Sequence, residues 1–131
     1  MPDILLREGR KALSEGKWKE AKTIFERAVE REISPELFEE LARACWWLNE
    51  TQEVLNFRTK AYQLFLDKND KLGASRNASW LGIDYLELKG EFAIANGWFQ
   101  RAENLLEGLQ PSLELGLIKL IKARLSFVQE D

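Results

Sequence analysis

The sequence predicts an all-α protein assembled from repeated helix pairs. Three observations carry this expectation. The only prolines are Pro2, Pro35 and Pro111; none interrupts a stretch with helical spacing, and the alternation of apolar and polar residues typical of strands is absent. The stretch Gly16-x-Trp18-x-x-Ala21-x-x-x-Phe25-x-x-Ala28 recurs as Gly90-x-Phe92-x-x-Ala95-x-x-x-Phe99-x-x-Ala102, every position displaced by 74 residues (90 − 16). A degenerate copy, Asn49-x-Thr51-x-x-Val54-x-x-x-Arg58-x-x-Ala61, lies between them, 33 residues (49 − 16) after the first. Self-similarity at a period of roughly 20 to 50 residues points to a stacked array of small helical units.

Seven helices are expected, at 3–15, 18–32, 35–48, 51–68, 70–89, 91–108 and 112–129. The first ends at a turn around Gly16, and the second carries Ala21, Phe25 and Ala28 of the first copy. Ser34-Pro35-Glu36 opens the third, with a capping serine before a proline at the first helical position. The fourth begins where the middle copy begins, at Asn49-Glu50-Thr51. Asp70 caps the fifth, Gly90 turns the chain into the sixth, and Ser112 caps the seventh. The longer spacing of 41 residues (90 − 49) before the last copy is assigned to longer helices, not to a longer loop around Asp67-Lys68-Asn69-Asp70-Lys71. The expected organisation is a single domain, 1–131, with repeats at about 2–34, 35–69 and 70–110 and a terminal helix at 112–129.

Composition narrows the function. The 131 residues are 45% hydrophobic and 31% charged, with five Trp and seven Phe, enough for a packed core. Nineteen Lys and Arg against 22 Asp and Glu give a net charge of −3, which disfavours direct binding of nucleic acid. No His occurs, which removes His-based acid-base catalysis, the Ser-His-Asp arrangement and His-containing metal sites. Glycine-rich phosphate loops are absent as well. The single cysteine, Cys45, is expected to be an inward packing residue, and Asp67–Gly73 lacks the ligands of a calcium loop. No enzyme activity, cofactor or metal is expected. No stretch reaches the roughly 20 apolar residues of a membrane span and no secretory signal is visible, so the expected location is cytoplasmic.

Each copy follows a helical stretch: Leu81-Gly82-x-x-Tyr85 before the last, Leu41-Ala42-x-x-Cys45 before the middle one, and Gly9 before the first. With these residues the chain resembles the tetratricopeptide-repeat family, whose unit is two antiparallel helices with small residues at the crossing and large ones between neighbouring pairs. The resemblance implies a tetratricopeptide-like helical repeat, three helix pairs plus a C-terminal helix, in a right-handed superhelical array. Gly82 stands eight residues before Gly90, whereas Gly9 stands seven before Gly16, so the last copy has one extra residue at its turn. Residues 73–116 carry a narrower likeness. Trp80-Leu81, Tyr85-Leu86, Gly90-Glu91, Ala95-Asn96-Gly97-Trp98-x-x-Arg101-Ala102-x-x-Leu105-Leu106 and Glu114-x-Gly116 resemble the helical-repeat region of bacterial LuxR-type transcriptional regulators. In such regulators the repeats sit beside a helix-turn-helix module, which these 131 residues do not hold, so the likeness implies either the repeat region of such a transcription regulator or a free-standing relative, without direct contact to DNA.

The expected function is a protein-protein interaction scaffold whose partner is another protein or peptide. The alternative is a small-molecule-sensing regulatory domain of a LuxR-type regulator. By the repeat register, the first helix of each pair lines a groove with Arg10 and Leu13, then Glu39, Arg43, Trp46 and Trp47, then Arg76 and Ile83. There the arginines would read carboxylates and Trp46 would supply an apolar anchor. The last helix is apolar over about 180° of its circumference, more than one buried face needs. Leu113, Leu117, Leu120, Ile121, Leu125 and Val128 are therefore the expected interface of a homodimer or the docking surface for another chain, so the partner is expected in the groove, on this helix or on both.

Overall fold

The computed structural model describes residues 2–107. They form six α-helices: α1 Pro2–Ser14, α2 Trp18–Arg31, α3 Pro35–Trp47, α4 Thr51–Asp67, α5 Lys71–Lys89 and α6 Phe92–Leu106. No strand occurs among the described residues. The all-helical class is therefore observed, and the six helices begin and end within about two residues of their expected bounds. The expected helix 112–129 and its interface residues lie outside the described residues. No helix among those described is long and apolar enough to cross a membrane.

The helices owe their ends to backbone chemistry that the sequence supplies. At Gly16, Asn49 and Asn69 the backbone turns left-handed, with φ of 79°, 62° and 57°. Each turn closes with the same pair of hydrogen bonds: Gly16 N–H to Leu13 O and Lys17 N–H to Ala12 O, then Asn49 to Trp46 with Glu50 to Cys45, then Asn69 to Leu66 with Asp70 to Phe65. This pairing satisfies carbonyls that a helix end otherwise leaves open, and glycine and asparagine are the residues that enter the left-handed region at least cost. Gly90 is also left-handed, at φ 66°, but there Gly90 N–H bonds Leu86 O and Glu91 N–H reaches back to Tyr85 O. That closure spans one residue more than the other three, which places the extra residue of the last copy in its turn. The expected capping by Asp70 is made, its side chain accepting from Gly73 N–H at 3.0 Å. Ser34 occupies the N-cap of α3 without a capping bond, and its hydroxyl donates to Glu36 instead, at 2.8 Å.

At 17 and 19 residues, α4 and α5 exceed the 13 to 15 of the other four, so the wider spacing before the last copy is taken up by helix length. The described residues fall into two compact units, Met1–Leu64 and the part beginning at Phe65, with the division inside α4.

Glycine and phenylalanine pack on each other in both units. In the first, the Phe25 ring of α2 lies against Gly9 of α1 so closely that no Cβ would fit between them. Around it Ala12, Leu13, Ala21, Ala28, Leu37, Leu41 and Ala44 form the core. In the second unit the Phe99 ring of α6 fills the same kind of seat on Gly82 of α5, where an added Cβ would stand 2.6 Å from the ring. Phe65 likewise covers Gly73. Ala95 and Ala102 flank Phe99 with no exposure, and Ser75 donates across to the Ala102 carbonyl at 3.2 Å. The small residues let two backbones approach, and the ring fills the space that the approach creates.

Candidate functional site

α3 is enclosed on almost every side. Of its residues from Pro35 to Trp47 only Arg43, Trp46 and Trp47 are exposed. Residues three and four apart share a face of a helix, so these three form one short stripe. Trp46 is 38% exposed and Trp47 50%, large values for side chains whose transfer from water is so favourable. The turns at either end gather the rings. Trp18, the first residue of α2, stacks on Trp47 with ring centroids 4.6 Å apart and planes 10° from parallel, while Trp46 meets Trp47 edge-on at 5.1 Å and 86°. Both are favoured arrangements of aromatic quadrupoles, so the platform is pre-arranged.

Beside it, one carboxylate serves two guanidinium groups. Glu40 is 6% exposed. Arg43 Nη1 bonds its Oε1 at 3.1 Å, and Arg10 Nε stands 3.6 Å from its Oε2. The arginine side chains are more than half exposed, so the trio carries a local charge of about +1 with donors left toward solvent. Arg10, Arg43, Trp46 and Trp47 from the expected groove are thus gathered in the first unit. Leu13, expected on the same face, is instead packed in the core at 6% exposure and presents nothing to a partner. Glu39 is half-buried. Arg76 and Ile83 belong to the second unit, where the Arg76 guanidinium lies over the Phe65 ring at 5.4 Å and Ile83 is half-buried.

A second polar cluster joins α2 to the start of α4. Lys22 Nζ donates to Glu50 at 2.6 Å and pairs with Glu53 at 2.9 Å. The thiol of Cys45, fully buried, donates to Glu53 Oε2 at 3.7 Å. Burial works against the Lys22 ammonium, but its hydrogen bonds to Glu50 and Glu53 outweigh that and hold its pKa well above the ordinary range. The hydrogen bond from Lys22 lowers Glu53, and burial pushes the Cys45 thiol up to about 12. Cys45, Glu50 and Glu53 together are a donor set of the kind that holds a divalent cation, with donor atoms within 4.8 Å of one another. The cation among them is the Lys22 ammonium, and the neutral thiol is no nucleophile at physiological pH. The cluster reads as a clamp between helices.

The sequence offered no direct signal for Trp18 as part of the platform, for Glu40 as the shared acceptor, or for the Lys22 clamp. The partners Trp47 of Trp18, Arg10 of Glu40 and Glu50 of Lys22 are 28 or more residues away in the chain, so only the rotation of each helix about its axis decides these pairings. No protein-family model matches this chain, and no curated protein is significantly similar to it.

Proposed function

We propose that the chain is a protein-interaction module that captures an extended acidic peptide on α3. The observation that carries this reading is the surface of α3, whose only exposed residues are Arg43, Trp46 and Trp47, with Glu36, Phe38 and Glu39 half-buried. Trp and Arg are the residues in which binding energy concentrates at interfaces, and a helix selected only for solubility exposes lysine, glutamate and glutamine instead. The excess positive charge of Arg10, Glu40 and Arg43 favours a partner carboxylate, and the stacked Trp18 and Trp47 with Trp46 favour an aromatic or branched apolar side chain next to it. No reaction is assigned. The same reading takes the helix pairs as tetratricopeptide-like units. The left-handed turns at Gly16, Asn49 and Gly90 and the Gly9–Phe25 and Gly82–Phe99 seats support that assignment.

Selection of a random-peptide phage library on the immobilised chain tests the proposal. Enriched peptides should place Asp or Glu within a few residues of Trp, Phe or Leu. Synthetic versions should bind Arg43→Glu and Trp46→Ala at least about tenfold more weakly. No enrichment, or peptides that bind both variants unchanged, would overturn it.

A further inference from the structure

Beyond peptide capture, and on a different helix, α6 carries a face whose chemistry sets it apart from its counterpart in the same chain. At the centre of that face is Gly97, flanked by Ala93, Ile94, Gln100, Arg101 and Asn104, and all six are exposed. Seventy-four residues earlier (97 − 23), the aligned positions of α2 are Lys19, Glu20, Thr23, Glu26, Arg27 and Glu30, exposed as well. The face of α2 is what water selects, with five charges among six residues. The face of α6 keeps one. Depletion of charge with retention of amides, arginine and apolar groups is the composition of an interface core, not of a solvated helix.

Gly97 sharpens the contrast. Every other glycine inside a described helix, Gly9, Gly73 and Gly82, is covered by a phenylalanine ring of its own chain. Among the described residues Gly97 is covered by nothing: a Cβ there would meet none of their atoms within 4 Å, and no left-handed backbone requires glycine. Inside a helix, glycine is destabilising relative to alanine. The packing of the described residues gains nothing from it, whereas a second helix crossing at Gly97 would gain close approach of the backbones.

We propose that α6 is a dimerisation helix that packs on α6 of a second copy, antiparallel, about a twofold axis at Gly97. Charge selects this occupant. In an antiparallel crossing a residue some places after Gly97 faces the residue the same number of places before it in the other copy. Arg101 is then level with Ala93 of the second copy, and Glu91, three residues before Ile94 on the edge that Ile94 and Arg101 share, lies about 3 Å of helix rise further along. Glu91 is the exposed N-cap of α6. The twofold makes this pair twice, so the one cation on the face finds an anion on the same helix of a second copy. In the single chain Arg101 rests on its own Trp98 ring, 4.4 Å from its centroid.

The test is the solution mass of the full chain by size-exclusion chromatography with light scattering over a tenfold dilution series. The expected result is twice the 15.2 kDa chain mass, falling on dilution. Arg101→Glu should raise the dissociation constant at least about tenfold, and the charge swap Arg101→Glu with Glu91→Arg should bring it back toward the native value. Recovery by the swap cannot come from a misfolded variant. A single-chain mass at every concentration overturns the proposal. So does a dimer that Arg101→Glu leaves intact, including one that Leu117→Glu dissociates, because its interface would then lie elsewhere.

Discussion

Lys22 does more for this fold than its place on a surface helix suggests. Its ammonium is hydrogen-bonded to Glu50 and paired with Glu53, and these are the residue before α4 and a residue of its first turn, where negative charge also complements the helix dipole. Lys22→Met keeps most of the side-chain volume and removes the charge. It would leave two carboxylates facing each other beside a buried thiol, and a loss of about 1–3 kcal/mol is expected in urea unfolding. Replacing Glu50 by Gln in the Lys22→Met background should recover part of that loss by removing the like-charge repulsion. If the double variant is as unstable as the sum of the two single ones, the clamp is not the source of the effect. Glu40 poses the opposite case. Its carboxylate holds two guanidinium groups, so Glu40→Gln should release both and weaken acidic peptides on α3 through lost pre-arrangement, with Kd rising severalfold. Calorimetry with a selected peptide measures this directly.

Among the elements, what was legible in the sequence is what depends on spacing along one helix. The helix bounds, the inward Ala21, Ala28, Ala95 and Ala102 and the inward Cys45 all follow from which residues share a face, whereas Phe25 and Phe99, expected between neighbouring pairs, seat on glycines of their own pair. The turns were half legible. Gly16 and Gly90 announce themselves, but Asn49 and Asn69 take the same left-handed conformation without a glycine to mark them. Pairings between helices were not legible, because a rotation of a few tens of degrees would bring different residues together. Leu13 is the plain instance: one turn from exposed Arg10, it turns into the core, and the expected groove loses a residue. The seats make an element-scale prediction. Gly82→Ala puts a methyl where the Phe99 ring already stands, and overpacking of this kind costs about 1–3 kcal/mol. Gly90→Ala meets no steric obstacle but strains the left-handed cap, so it should cost roughly 1 kcal/mol. Phe99→Leu, which shortens the ring, should rescue part of the first loss and none of the second.

At the scale of the whole molecule, the clamp contributes to how stability varies with pH, and three of its groups act on two different flanks. Glu53 binds its proton less tightly in the folded chain than its ordinary value of 4.5. The stability it contributes is therefore complete above that value and is lost as pH falls through the lower folded one. Cys45 and Lys22 work on the alkaline side, since both bind their protons more tightly when folded. Between the ordinary thiol value of 9.0 and about 12 the unfolded chain gives up the Cys45 proton while the folded chain keeps it, so stability falls as pH rises through that window. Lys22 adds its share only above its ordinary 10.5. The two contributions are thus separated in onset by their unfolded values. Denaturant midpoints should be level near neutrality and begin to fall near pH 9. In Cys45→Ala the fall between pH 9 and 10 should be shallower than in the native chain, with the steeper loss beginning only above about 10.5 as Lys22 titrates. An unchanged slope between pH 9 and 10 in that variant would show that the thiol does not govern the alkaline limit. Lys22→Met, by contrast, should lower the whole plateau and leave the onset near pH 9 in place, because the thiol remains buried without it.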